Sequence, residues 1–287
     1  MLFNIFLLGF VIITWGYSWV LMKIGLQYMG PFTFAAWRCV LGGVVMLPVL
    51  FLMRAPLPKR EKWPHYALVG ALQTTALFGL ILFGMQFVTA GKTAVLLYTM
   101  PIWTSLIAHF YLKDTLHGWR WVGIASGALG LLCILGWDTI THQNIQILFG
   151  ELLIVLAAVG WSVSNIWVKT RLADEDPFSI NGFQTIIGSL GLVAIAFFAE
   201  GGGANILWTP MSVFAIVFTA IVATAVNFTI WFYLLRKIDT HTVAFSVLLV
   251  PVFGLLFDWV QLGSTLDAGV MVGGVLILYG IYRVSNY

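Results

Sequence analysis

Charge vanishes from this chain for about twenty residues at a time, and that pattern decides what it can become. Phe3–Met22 and Val40–Met53 hold no Asp, Glu, Lys or Arg. Apolar residues make up 61% of the chain and charged ones 9%, where a soluble domain carries about a quarter charged residues. With 14 Lys+Arg and 11 Asp+Glu in 287 residues, no water-facing surface can be covered. Aromatic residues at 15% and 29 Gly without a three-residue period exclude a disordered or collagen-like chain. The apolar runs do not alternate, as β-barrel strands would. The fold class is therefore an all-α polytopic membrane protein.

Charges, Pro and Gly divide the chain into ten spans, near 3–22, 32–53, 65–88, 92–112, 119–137, 148–169, 178–199, 210–235, 241–261 and 267–283. With a cytoplasmic N-terminus, Arg54, Lys59, Arg60, Lys62, Lys113, Arg120, Lys169, Arg171, Arg236, Lys237 and Arg283 all fall on the inner side. The Asp138–Gln146 and Glu200–Thr209 loops then carry no Lys or Arg, so the positive-inside rule places both termini in the cytoplasm. No basic region precedes Phe3–Trp15 and no small-residue exit site follows it, so the first run is expected to stay as a helix. Trp63, Trp119, Trp121, Trp137 and Trp208 lie near span ends and read as an interfacial belt. Cys39 and Cys133 sit inside apolar runs as small packing residues.

Self-comparison adds a second level. An offset of 146 pairs Trp15/Trp161, Ser18/Ser164, Lys23/Lys169, Pro31/Pro177, Phe32/Phe178 and Gly42/Gly188. An offset of 150 then pairs Phe78/Phe228, Ala94/Ala244, Pro101/Pro251, Leu112/Leu262, Thr115/Thr265, Leu116/Leu266, Gly123/Gly273 and Gly130/Gly280. Two five-helix repeats, 1–137 and 148–287, follow. Because five is odd, the second runs through the membrane inverted, the typical build of a secondary transporter.

The run Pro31-Phe32-x-Phe34-x-x-x-Arg38, with Pro101…Leu112…Thr115-Leu116…Gly123…Gly130 and its second-half counterpart, resembles the drug/metabolite transporter superfamily, and within it the EamA family. The resemblance spans essentially the whole chain and is nearest to the amino-acid exporters. Where the family often has Glu after the fourth and ninth helices, this chain has Lys113-Asp114 and Gly263-Ser264. The resemblance implies export of amino acids, other metabolites or drugs. The small multidrug-resistance relatives depend on an intramembrane Glu in the first helix, which is absent here.

Within the spans, Pro101 and Pro251 lie near mid-membrane and remove the bonds to Leu97 and Val247, which makes them hinge candidates against the alternative of static bends. Trp15, Ser18, Trp19 and Met22 share one helix face, as do Trp161, Ser164, Asn165 and Val168. Tyr98, Ser105 and His109 lie on the Pro101 face, Thr224, Asn227 and Trp231 align, and Gln73 and Thr74 follow in the third span. Each polar group is open to two readings, helix contact or cavity wall; together they describe a substrate cavity between helices 1, 3, 4, 6, 8 and 9. Arg38 is placed as a structural charge, with snorkelling and a carbonyl clamp favoured over a substrate carboxylate. Lys23 is expected at the outer interface, and the acidic residues at or near span ends.

No metal cluster, catalytic triad or phosphate-cradling loop is assembled, so neither an enzyme nor a cofactor is expected. The expected partners are a small-molecule substrate and the lipid bilayer, not nucleic acid, and a monomer suffices because one chain holds both halves. The expected activity is export of neutral or aromatic amino acids across the inner membrane. Other cargoes (nucleosides, organic cations) or a non-transporting channel or scaffold remain open. A sugar-phosphate exchanger would need more cavity cations than Arg38, Lys23 and Lys169.

Overall fold

The computed structural model describes residues 2–113, 118–141, 144–203, 205–237, 249–265 and 268–286, with the side chains of 135–141, 232, 233, 235–237 and 284–286 outside that set. The expectations for Asp114, Thr115, Leu116, Trp137, Ala244, Val247 and Leu266 therefore lie outside the described residues. Among the described residues, seven helices are long and apolar enough to cross a membrane: α1 (Leu2–Gly25), α2 (Pro31–Leu52), α3 (Arg60–Gly84), α4 (Ala90–Leu112), α6 (Ile145–Arg171), α7 (Pro177–Gly203) and α8 (Pro210–Trp231). Three shorter apolar helices are α5 (Trp119–Ile134), α9 (Leu249–Leu262) and α10 (Ala268–Arg283). No strand occurs among the described residues.

Proline opens several helices, since its missing N–H would be unpaired in the first turn anyway. Pro31 follows Gly30, Pro177 follows the capping Asp176, and Pro210 follows Thr209. The Asp176 carboxylate accepts from the N–H groups of Phe178 (2.9 Å) and Ser179 (3.1 Å). Thr209 and Ser212 form a reciprocal capping box. The start of α2 lacks a local cap, and Glu200 at the end of α7 supplies one. Its carboxylate accepts from Phe32 N–H (3.0 Å) and Thr33 N–H (2.7 Å).

Helix crossings follow small residues. A Cβ built on Gly273 would lie 2.5 Å from the Gly130 carbonyl oxygen, and one on Gly130 would lie 2.5 Å from that of Gly273. The α5 and α10 backbones therefore touch, as close approach at glycine allows, and Ser126 donates to the Leu276 carbonyl there (2.9 Å). Elsewhere α2 packs on α7 and α8, α3 on α6 and α7, and α1 on α8 and α9, with α4 between α6 and α9.

The outside is apolar. Phe6, Phe51, Leu52, Leu132, Phe197, Phe198 and Val260 are all exposed, a surface that water would not tolerate but lipid solvates. Three segments widen into π-helix: Ala71–Ala76 in α3, Phe218–Val226 in α8 and Asp258–Leu262 in α9. In such turns a carbonyl escapes its usual donor and becomes available to side chains.

Candidate substrate cavity

A cavity of about 570 Å³ opens between α3, α6, α7 and α8. Gln73, Thr74 and Phe78 come from α3, Trp161 and Asn165 from α6, and Asn181, Gln184 and Thr185 from α7. Thr224, Phe228 and Trp231 close it from α8, and Cys39 reaches it from α2. At its rim stand Lys169, Glu175 and Pro177, so the mouth faces the α6–α7 connection.

The two π-segments shape this wall. Thr74 lies in one and Thr224 in the other. The Thr224 hydroxyl donates to the Thr219 carbonyl five residues back (2.9 Å). Trp15 Nε1 donates to the loosened Ala223 carbonyl (2.8 Å) and its ring packs on Phe228 and Trp231. Trp15 thus backs the cavity aromatics from behind.

Inside the rim formed by Lys169 and Glu175, the polar lining is uncharged and largely paired with itself. Gln73 Nε2 donates to Asn165 Oδ1 (2.9 Å), and the Thr74 hydroxyl donates to Gln184 Oε1 (2.8 Å). Gln184 Nε2 reaches the Thr185 hydroxyl (3.0 Å) and, more weakly, Asn181 Oδ1 (3.4 Å). The Asn181 amide nitrogen is buried with no hydrogen-bond partner. A buried donor left dry costs about 1–3 kcal/mol, so this lining is poised for a hydrogen-bond acceptor.

Beside the mouth, the start of α3 is tied to the end of α6 and the α6–α7 connection. Lys62 donates to Asp174 (3.0 Å) and to the Arg171 carbonyl (2.8 Å), and Tyr66 donates to Glu175 (2.9 Å). Lys62 holds the exposed Asp174 carboxyl below its ordinary value.

The opposite end carries buried charge. Lys92 at the start of α4 pairs with Glu151 of α6 (3.4 Å), and the Glu151 side chain is fully buried. Asp258 of α9, also buried, accepts from Gly91 N–H (2.8 Å) and from the Ser264 hydroxyl (3.0 Å). Lys23 donates to the carbonyls of Met85 and Val88 (2.8 Å to Val88). Glu151 and Asp258 do lie near helix ends, as their positions imply, yet they point into protein. Lys23 is bound to carbonyls just past the end of α3.

Of the residues picked from helical spacing, Gln73, Thr74, Trp161, Asn165 and Thr224 line the cavity, together with Val168 and Trp231. The others sit elsewhere. Ser18 donates to the Trp15 carbonyl (2.7 Å), Trp19 is buried in the main core, and Asn227 bonds the Thr14 hydroxyl (2.9 Å). Ser164 is fully buried. Tyr98 and Ser105 are half-buried on α4, and His109 packs on Trp121 (5.6 Å). The cavity wall therefore draws on α2 and α7 where spacing pointed to α1, α4 and α9. Asn181, Gln184 and Thr185 share one face of α7 at helical spacing, a signal the sequence did contain.

Pro101 interrupts α4. Ala90–Leu97 and Met100–Leu112 are separate helical pieces with Tyr98 and Thr99 between them. The break is held: Thr99 donates to Leu96 (2.7 Å), Trp103 Nε1 to the Thr99 hydroxyl (3.0 Å), and Ser162 to the Met100 carbonyl (2.9 Å). Pro251 is buried in α9, and the chain before Leu249 lies outside the described residues.

The EamA-like transporter family matches this chain over residues 2–136 and 148–286. The chain is 32% identical to the uncharacterized transporter YoaV of Bacillus subtilis, covering 96% of this chain and 95% of that protein. It is 29% identical to a probable amino-acid metabolite efflux pump of Escherichia coli, over 95% of this chain and 91% of the other. One crystal structure aligns with a TM-score of 0.65 over 98% of this chain and 95% of that one, at 18% identity. That likeness establishes a shared fold.

Proposed function

This chain belongs to the EamA-like transporter family, and from that premise we propose that it is a secondary exporter of neutral amphipathic amino acids, aromatic ones foremost. It is a multi-pass membrane protein and a transporter, not an enzyme. In the reading proposed, α1 to α10 all cross the inner membrane as two inverted five-helix repeats, with both termini cytoplasmic and the chain acting as a monomer.

Symmetric detail supports the repeat. The π-segments of α3 and α8 carry Thr74 and Thr224, which the 150-residue offset relates, as it relates Phe78 and Phe228. The packing is mirrored as well: α3 on α7 answers α8 on α2, and α3 on α6 answers α8 on α1. With the α6–α7 connection cytoplasmic, the cavity opens inward. The buried charges of Lys92, Glu151 and Asp258 then sit at the closed outer end. Export would exchange the two closures by rocking about the break at Pro101 and its partner Pro251.

The observation that carries the substrate reading is the lining itself. Indole and phenyl rings at Trp161, Phe78, Phe228 and Trp231 offer apolar area, and carboxamides and hydroxyls offer neutral hydrogen bonds. Such a surface suits a solute with an apolar body and a compact polar end. The relative named an amino-acid metabolite efflux pump points the same way. Purified protein in liposomes, loaded with labelled phenylalanine and challenged with amino acids, nucleosides and organic cations, tests the proposal. Saturable efflux competed by neutral amino acids is expected; competition only by nucleosides or cations would reassign the cargo, and unsaturable leak would leave a channel.

A further inference from the structure

The geometry points to Arg38 as the receptor for the solute's carboxylate, held behind Phe78 in the present conformation. This inference rests on the amino-acid reading and deepens it.

A guanidinium has five N–H donors and no acceptor. That of Arg38 is poorly served. The residue is 5% exposed, well inside α2, with its Nη1 against the Met22 thioether (2.7 Å) and its Nε without a partner. Its cationic carbon lies 4.2 Å over the Phe78 ring. It enters no ion pair among the described residues. Sulfur is a weak acceptor, and an aromatic face offsets only part of the cost of removing a cation from water. Buried Lys92 and half-buried Lys23 are treated differently: Lys92 has Glu151, and Lys23 has two carbonyls. Arg38 has the surroundings of a site shaped to receive an anion.

The route for that anion is short. Phe78 and Cys39, the ring beneath the guanidinium and the next residue in the chain, both line the cavity. The 146-residue offset relates Arg38 to Gln184 and Met22 to Val168, and both of those partners line the cavity directly. When the two repeats exchange conformations, Arg38 therefore takes the cavity-lining position that Gln184 holds now. Turning the Phe78 ring aside brings the guanidinium to the solute. Its planar fork matches the two oxygens of a carboxylate in a bidentate pair, which an ammonium or a neutral group cannot reproduce. Arg38 is thus a specificity-determining residue that admits carboxylates and turns away bare amines.

The test uses wild-type protein, Arg38→Lys, Arg38→Gln and Phe78→Leu in liposomes. Labelled phenylalanine efflux is competed with phenylalanine, 3-phenylpropionate and phenethylamine, and direct uptake of each is measured. In the wild type the amine is expected to compete about tenfold or more weakly than either acid, the scale on which a dedicated polar contact discriminates. Arg38→Gln should erase that difference, and Arg38→Lys should keep part of it. If Arg38→Gln fails to assemble, Phe78→Leu decides. With the guanidinium uncovered, half-saturating concentrations should fall for the acids and stay level for the amine; an unchanged ratio overturns the inference. If wild-type protein carries phenylalanine and Arg38→Gln keeps the preference, the function stands and the receptor role of Arg38 falls. If it carries 3-phenylpropionate but no amino acid, the receptor stands and the amino-acid reading falls. Transport of none of the three overturns both.

Discussion

Neutralising Glu151 takes the counter-charge from a lysine whose side chain is only 9% exposed. In the structure Lys92 Nζ stands 3.4 Å from the Glu151 carboxylate, with both side chains buried. At an effective dielectric of about 20, the two charges attract by about 5 kcal/mol at that separation. Desolvation of the pair offsets much of this, so the pair itself adds little net stability. Removing one member is another matter, and costs about 3–5 kcal/mol because the survivor stays buried and charged. Glu151→Gln and Lys92→Met should each destabilise the protein on that scale, and the double variant should be no worse than either single one. The assay is reversible unfolding in mixed micelles, followed by tryptophan fluorescence, with all four proteins compared as a double-mutant cycle. A buried pair is barely screened, so the coupling should persist in high salt. Additive effects, or coupling that disappears in about 1 M salt, would refute the claim that these charges meet in a dry interior.

Further consequences follow from the cavity and the crossings. Trp161→Ala and Asn165→Ala should each raise the half-saturating concentration for phenylalanine in liposome efflux by about tenfold, the effect of losing a buried ring or an amide bond of about 1–2 kcal/mol, with membrane yield unchanged. Gly273→Leu should drive α5 and α10 apart, since a Cβ alone would lie 2.5 Å from the Gly130 carbonyl oxygen; monodisperse yield by fluorescence-detected gel filtration should collapse. Glu200→Ala removes the acceptor for two N–H groups at the start of α2. About 1–2 kcal/mol of stability should go with it, and equal unfolding midpoints would show that the cap contributes nothing.

Much of this architecture is legible without coordinates, for local reasons. Pro31, Pro177 and Pro210 start helices wherever they occur in such a context, because only a first turn tolerates the missing donor. Pro101 breaks α4 where its missing N–H requires. The repeat pairs Gly123/Gly273 and Gly130/Gly280 sit where α5 and α10 cross. The cavity was harder. Gln73, Thr74, Trp161, Asn165 and Thr224 carry a visible face, and they converge. Tyr98, Ser105, Trp19 and Asn227 carry one as well, yet they turn into packing or toward other helices. Lipid, protein and cavity all accept apolar side chains, so helical spacing alone does not say which of them a face meets.

Composition and periodicity by themselves determined that the chain lives in a bilayer, where several of its helices begin, and that its halves repeat as a pattern of residues. Those properties depend on transfer free energy and on backbone chemistry, which act within a few turns. The tertiary structure decided where the few interior charges go. Lys92, Glu151 and Asp258 come from α4, α6 and α9, and only the packing of those helices brings Lys92 to Glu151 and Asp258 to the Gly91 N–H. It also decided that α7 supplies the carboxamide wall and that Arg38 lies behind Phe78. In an environment without water, the worth of a polar group is set by the partner that folding brings to it.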